Sequence, residues 1–190
     1  CWQKHNYISY SPEFNKKNTS IFIFYIVALG MLKDFFKAKD HSIVPSALLL
    51  PENDPTTLFT GSGMQPILPY LLGEAHPEGK RIVDSQKCFR SQDIDEVGDS
   101  YHHTFFEMLG NWSFGDPEKS SDVGAGYFKK EQIPGMFESV TKDMGLDPQR
   151  MYITEFRGYK EFDLPRDDAA VQLWKDEFKK VDIDAKDLDD

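Results

Sequence analysis

The chain has 190 residues, of which 39% are hydrophobic and 28% are charged. This length and composition suit one globular domain with its own core and exclude wholesale disorder. The formal net charge of -10 argues against a dedicated nucleic-acid-binding module, since such modules carry a basic face. The cysteines, Cys1 and Cys88, lie far apart and form no CxxC pair, which favours a reducing, cytoplasmic setting.

The first thirty residues contain a strongly apolar run, IFIFYIVAL at residues 21–29. The run is too short to span a bilayer as a helix, and no small-residue cleavage site of a signal peptide follows it. A buried strand is an alternative for this β-branched and aromatic run. We therefore divide the chain into a leader, residues 1–30, which is either a translation artefact or a genuine extension, and a domain, residues 31–190.

The predicted elements of the domain follow in chain order. Leu32, Phe35 and Phe36 share one face of a short amphipathic helix over residues 30–40. An extended apolar run and a glycine- and proline-rich loop come next, and the loop is of the tight kind found near binding sites. The remaining elements are a strand, an acidic loop, a second strand, a helix weakened by Pro134 and Gly135, a short strand and a final helix, at residues 81–90, 92–100, 102–108, 129–144, 151–156 and 167–180. This order predicts an α+β domain built on an antiparallel sheet.

The pair of strands at residues 81–108 carries the candidate binding residues. Arg90 ends the first strand, where its planar guanidinium can bind a phosphate or a carboxylate. Because alternate residues of a strand share a face, His102, Phe106 and Met108 point the same way on the second strand. Phe106 then offers a stacking surface for a purine and His102 a hydrogen-bond donor for phosphate. Taken singly, such residues more often have a structural explanation: an arginine in a surface ion pair, a core Phe and Met, and a polar edge of adjacent histidines.

A metal site built from His41, Cys88 and His102 is a further alternative. No two of these residues show the close spacing of a zinc-binding pair, so the sequence does not favour it. We expect no metal site in this chain.

The segment at residues 86–116 resembles motif 2 of the class II aminoacyl-tRNA synthetases. It has a strand that ends in arginine, an acidic loop, and a return strand with histidine four residues before phenylalanine, which here are Arg90, His102 and Phe106. Within that class, the sequence HTFFEMLGNWSFGD at residues 103–116 resembles the sequences of the alanyl-tRNA synthetase family. The resemblance extends almost continuously over residues 31–186.

The resemblance implies a fold and a reaction. Residues 31–190 are expected to form the N-terminal part of a class II aminoacylation domain, an antiparallel sheet flanked by helices and incomplete in this chain. The implied enzyme, an alanine–tRNA ligase, activates alanine with ATP and Mg²⁺ and then transfers the alanyl group to tRNA(Ala). Charge neutralisation and positioning carry such a reaction, without a covalent enzyme nucleophile.

Residue roles follow from the same resemblance. Arg90 is implied to contact the α-phosphate of ATP and the carboxylate of alanine. Phe106 stacks on adenine, His102 lies near the outer phosphates, and Met108 lines the alanine pocket. Most contacts with tRNA, and the zinc-binding editing domain of the family, are expected outside this chain, and no membrane partner is expected.

The sequence also departs from the family pattern. The third motif of the class lies beyond Asp190, Tyr101 stands where many members carry arginine, and residues 117–126 interrupt a segment that is usually continuous. We therefore expect little or no ligase activity from this length of chain alone. The alternative function is a truncated, non-catalytic paralogue that retains a partial nucleotide-binding fold.

Overall fold

A computed structural model describes residues 8–9, 18–52, 54–99, 102–115 and 127–187. The chain divides into two compact units, one of Cys1–Phe22 with Phe128–Asp190 and the other of Ile23–Tyr127. The strands are β1 at Ile8–Ser9, β2 at Ser42–Ile43, β3 at Arg81–Phe89, β4 at Phe105–Ser113 and β5 at Tyr152–Ile153. The α-helices are α1 at Asn18–Lys37, α2 at Leu68–Leu71, α3 at Lys129–Glu138 and α4 at Asp168–Lys179.

Helix α1 is longer than the predicted helix at residues 30–40. The apolar run at residues 21–29 is helical, so the buried strand considered for it is wrong. The run contains no proline and leads directly into the amphipathic turns around Phe35, which allows one continuous helix. In the described parts of the chain, no helix combines the length and the apolar character needed to cross a membrane.

The Ile23–Tyr127 unit contains a three-stranded sheet in the order β2-β3-β4. Strands β3 and β4 pair antiparallel over nine residues, from Arg81 opposite Ser113 to Phe89 opposite Phe105, which confirms the predicted hairpin. Strand β2 pairs with β3 in parallel, so the sheet is mixed rather than wholly antiparallel. The long excursion of the chain between β2 and β3 permits this, because a parallel neighbour needs a crossover connection.

The second predicted strand, at residues 102–108, is displaced along the sequence. Strand β4 begins at Phe105 and continues to Ser113. Residues 102–104 do not form the predicted strand, because Asp99 in the preceding loop accepts hydrogen bonds from both the backbone and the side chain of His102. Local side-chain contacts of this kind compete with the strand ladder.

Two features stabilise the Ile23–Tyr127 unit. Its core is an apolar cluster made of Ile67, Ile82, Trp112 and Phe114. The side chain of Gln86 in β3 is only 1% exposed, and its Oε1 accepts a 2.8 Å hydrogen bond from the backbone N–H of Ala47. This amide satisfies the backbone of the extended segment after β2, as a buried polar group requires.

The other unit joins two helices and a two-stranded ladder of β1 and β5. The predicted helix at residues 129–144 ends earlier, because α3 passes at Glu138 into a π-helical turn, Ser139–Asp143. The predicted strand at residues 151–156 is confined to β5. The final predicted helix is confirmed, with Asp167 as its N-cap accepting from the N–H of Ala170. The core of this unit is formed by Ile133, Phe137, Val140, Met151, Ala170, Trp174 and Phe178.

Candidate nucleotide site

One face of the β3–β4 hairpin collects most of the predicted site residues. The register places Cys88 opposite Phe106 and Gln86 opposite Met108, and side chains of such pairs lie on the same face. Arg90 extends the ladder by one step, since its backbone N–H donates a 2.7 Å hydrogen bond to the carbonyl oxygen of Thr104. Arg90, Phe106 and Met108 are therefore presented together.

The guanidinium of Arg90 is fixed along one edge. Its Nε donates a 2.8 Å hydrogen bond to the carbonyl oxygen of Gly61, and its Cζ lies 5.2 Å from the ring centroid of Phe106. No described residue accepts a hydrogen bond from either terminal amine of this fork. A guanidinium held in this way offers two parallel donors to an anion such as a phosphate or a carboxylate.

The loop that follows Gly61 lies against the same face. The backbone N–H of Gly63 donates to the sulfur of Met108 at 3.2 Å. A Cβ placed on Gly63 would lie 3.4 Å from the indole of Trp112 and 3.5 Å from Cγ of Met108, so the backbone approaches the sheet closely. Met108 therefore lies in contact with this glycine-bearing loop.

His102 lies at the start of the return strand and is held by the acidic loop. Its Nδ1 is 2.6 Å from Oδ2 of Asp99, and its Nε2 is 2.9 Å from Oε2 of Glu96. The hydrogen bond that His102 donates to Asp99 is the largest cause that raises the pKa of His102 above 6.5, and the negative charges of Asp99 and Glu96 add to it. The sequence predicted His102 as a phosphate donor, but both of its ring nitrogens are engaged by loop carboxylates. Tyr101 lies outside the described residues.

Sequence reasoning missed a buried acidic residue on this same face, farther along β3 from Arg90. Asp84 is only 4% exposed, and its Oδ1 accepts a 2.8 Å hydrogen bond from the indole Nε1 of Trp112. Burial raises the pKa of Asp84 to about 6, while the bond from Trp112 and the positive charge of Lys33 oppose the rise. The signal in the sequence was a single carboxylate inside the apolar strand IVDSQKCF.

The indole of Trp112 fits over a glycine on its own strand. A Cβ built on Gly110 would lie 2.6 Å from the ring. Any side chain at position 110 would therefore clash with the indole in its present position. Asp84 and Gly110 therefore fix the ring whose edge meets Gly63, and they define the shape of this face next to Met108.

The residues considered for a metal site make contacts with other parts of the protein. His41 is buried, with Nδ1 3.0 Å from the carbonyl oxygen of Phe36 and Nε2 2.6 Å from the hydroxyl of Tyr127. The thiol of Cys88 is fully buried and lies 3.4 Å from the carbonyl oxygen of Gln86. In the described part of the chain, no three His, Cys, Asp or Glu side chains are grouped so that they could hold a metal ion.

A separate open cavity of about 820 Å³ lies in the unit that contains α3 and α4. Its lining residues are Arg157, Gly158, Tyr159, Lys160, Asp163, Leu164, Pro165 and Arg166. None of the residues predicted for ATP or alanine lines it.

Comparison with known families assigns the chain to a class. The family described as tRNA synthetases class II (A) matches residues 31–187, and the chain belongs to this family. The match covers the hairpin that presents Arg90, Phe106 and Met108, together with both units of the fold beyond residue 30.

Among individual relatives, the similarity is to alanine–tRNA ligases. The chain is 49% identical over 144 residues to the alanine–tRNA ligase of Treponema denticola, covering 75% of this chain and 22% of that protein. It is 46% identical over 144 residues to that of Borreliella afzelii, with the same coverage. With that of Rubrobacter xylanophilus it is 46% identical over 141 residues, or 74% of this chain and 15% of the relative. The chain thus spans about a fifth of the length of the curated relatives it matches.

Proposed function

We propose that this chain supplies the ATP- and alanine-contacting hairpin of an alanine–tRNA ligase. The observation that carries the proposal is the guanidinium of Arg90, fixed at Nε by Gly61 and lying beside Phe106, in a chain similar to alanine–tRNA ligases. These relatives do not favour the alternative of a non-catalytic paralogue. The work of the complete enzyme would be to activate alanine with ATP and pass it to tRNA(Ala) in the cytoplasm.

Each residue of the hairpin has a physical task in this proposal. The terminal amines of Arg90 bind the α-phosphate and the alanine carboxylate, which holds nucleophile and electrophile together and neutralises charge in the transition state. Phe106 stacks on the adenine ring. Met108, drawn against Gly63, bounds the space for the alanine methyl group.

His102 needs a rearrangement before it can serve the outer phosphates. Glu96 and Asp99 occupy its ring nitrogens, and their charges repel a triphosphate. The phosphates of ATP must therefore displace at least one carboxylate, and their own negative charge then favours the protonated imidazole as a donor. Mg²⁺ is part of the proposed reaction, and no residue of this chain is assigned to it.

A chimaera tests the proposal in a complete enzyme. Residues 31–187 replace the matching segment of the Treponema denticola alanine–tRNA ligase, and alanine-dependent ATP–pyrophosphate exchange is measured. We expect exchange by the chimaera and a loss of about 100-fold or more with Arg90→Ala, since an interaction with transition-state charge is removed. A folded chimaera without exchange, or one that is indifferent to Arg90→Ala, rules the proposal out.

A further inference from the structure

Arg90 is connected to Gln65 through the backbone of Gly61. Gln65 begins a short 3-10 helix, Gln65–Ile67, four residues after Gly61. Its side-chain Oε1 accepts a 2.9 Å hydrogen bond from the backbone N–H of Gly61. The carbonyl oxygen of the same Gly61 accepts the 2.8 Å bond from Nε of Arg90. Gln65 and Arg90 are therefore joined through one glycine.

The amide of Gln65 is itself oriented by two acceptors. Its Nε2 donates to Oδ2 of Asp54 at 2.9 Å and to Oγ1 of Thr57 at 2.6 Å. These contacts identify the nitrogen end of the amide and leave the oxygen end facing Gly61. Asp54 is fixed in turn by the N–H and hydroxyl of Thr56, at 2.9 and 2.5 Å.

The glycine in the middle needs this support. Residue 60 is anchored on both sides, because the N–H of Thr60 donates to the carbonyl of Leu49 at 2.7 Å and its own carbonyl accepts from Phe89 at 2.9 Å. Gly61, without a side chain, has the widest choice of backbone angles. The bond from its N–H to Gln65 limits that choice and so sets the direction of the carbonyl that Arg90 meets.

We propose that Gln65 is a positioning residue for Arg90, acting through Gly61, so that the terminal amines of the guanidinium face the anionic groups of ATP and alanine. The inference rests on the proposed role of Arg90 in binding those groups. Asp54 and Thr57 belong to the same assembly, because they orient the amide of Gln65.

Nuclear magnetic resonance of the ¹⁵N-labelled chain tests this inference at the atom concerned. The Nε–H signal of Arg90 is assigned by its disappearance in Arg90→Lys. With Gln65→Ala we expect this signal to move toward that of a free arginine and to exchange faster with water. Backbone signals of β3 and β4 away from Arg90 remain in place, and Gln149→Ala, an exposed glutamine in the other unit, changes nothing at Arg90.

Reversing the hydrogen bond between Gln65 and Asp54 tests whether the position of Arg90 can be restored. Gln65→Glu places two carboxylates together and should resemble Gln65→Ala. The double variant Asp54→Asn with Gln65→Glu restores a donor at residue 54 and an acceptor toward Gly61, and we expect it to restore the Arg90 signal. ATP affinity, followed by titration with Mg·ATP, should fall about 5–10-fold in the single variants and recover in the double variant.

The outcomes separate the two proposals. An unchanged Arg90 Nε–H signal in folded Gln65→Ala, or a double variant that does not restore the signal, overturns the positioning role, whatever Arg90→Ala does to ATP binding. If the signal moves as expected but Arg90→Ala binds ATP as the parent does, the proposed function fails while the link from Gln65 to Arg90 stands.

Discussion

The indole Nε1 of Trp112 donates a 2.8 Å hydrogen bond to the buried carboxylate of Asp84, on the same face of the hairpin as Met108. The bond fixes the ring that meets Gly63, yet it leaves a carboxylate that is only 4% exposed to solvent. Burial destabilises the charged form of a carboxylate. The arrangement therefore links the shape of the site to the protonation of one side chain.

Replacing Asp84 with asparagine should stabilise the chain at neutral pH. The pKa of Asp84 is about 6 in the folded chain against 3.8 for an ordinary aspartate, so the folded state binds this proton more tightly than the unfolded state. Stability is therefore lost as pH rises from 3.8 to about 6, and the full cost, at most about 3 kcal/mol, is present above that. Asparagine keeps an acceptor for Trp112 without the charge.

We expect Asp84→Asn to raise the free energy of unfolding by about 1–2 kcal/mol at pH 7.5 and to give no gain at pH 4. Urea unfolding at both pH values measures this. Asp84→Leu, which leaves the buried indole N–H without an acceptor, is the control and should destabilise at neutral pH. A gain from asparagine that is the same at both pH values contradicts the assigned pKa.

The loop carboxylates should control the titration of His102. Because Asp99 and Glu96 contact its two ring nitrogens, the midpoint should lie above 6.5 in the parent chain. Asp99→Asn removes the hydrogen bond that contributes most and should lower the midpoint. The imidazole signals of His102 in a pH titration measure this midpoint. An unchanged midpoint in Asp99→Asn means that the loop does not hold His102 in solution.

Tyr127 should stabilise the other face of the hairpin through its hydroxyl. The two carbonyl oxygens at 3.0 Å from Nδ1 of His41 require a proton there, so in the neutral imidazole Nε2 accepts from the hydroxyl of Tyr127 at 2.6 Å. The same hydroxyl accepts from Nδ2 of Asn111 at 2.5 Å. Tyr127→Phe leaves a buried acceptor and a donor without this partner, and we expect a loss of about 1–3 kcal/mol.

Thermal or urea unfolding measures the loss in Tyr127→Phe. Tyr152→Phe is the matched control, since Tyr152 is 66% exposed and its change should fall within about 0.5 kcal/mol. Equal effects of the two substitutions would show that the hydroxyl of Tyr127 adds nothing to the folded state.

Residues 117–126, which the sequence predicts to be an insertion, should be dispensable for folding. They lie outside the described residues. Residues on either side of them are hydrogen-bonded to each other, because the N–H of Tyr127 donates to Oγ of Ser113 at 2.6 Å. Loop length has only a weak effect on closure entropy. We expect deletion of residues 117–126 to change the unfolding free energy by less than about 1 kcal/mol, and a chain that no longer folds would assign the segment a structural role.

The sequence predicts the elements that have a clear internal pattern. The strand predicted at residues 81–90 matches β3 within one residue. The helix predicted at residues 167–180 matches α4, in which the apolar residues Ala170, Trp174 and Phe178 recur at helical spacing. The start of β4 was wrong, because His102 is drawn to Asp99 by a local contact that strand periodicity does not contain. The parallel pairing of β2 is likewise decided by the path of the chain between strands.

The site is predictable only in part for the same reason. Arg90, Phe106 and Met108 share one strand pair, so alternation places them together. The glycine-rich loop was predicted to lie near a site, and Gly61 meets Arg90 in the structure. Gln65 and Asp54 act through hydrogen bonds between parts of that loop, and no local pattern reveals which of its polar side chains point inward.

The most direct test of the account is Mg·ATP titration of the chain, followed by backbone amide signals. We predict saturable shifts centred on Arg90, Phe106 and Met108, with an affinity at least about tenfold weaker in Arg90→Ala, since a charge-assisted bond to phosphate is lost. Arg150→Ala, an exposed arginine of the other unit, should bind as the parent does. Shifts that avoid this hairpin, or equal affinity in Arg90→Ala, would contradict the claim that Arg90 is the anion-binding residue of a nucleotide site.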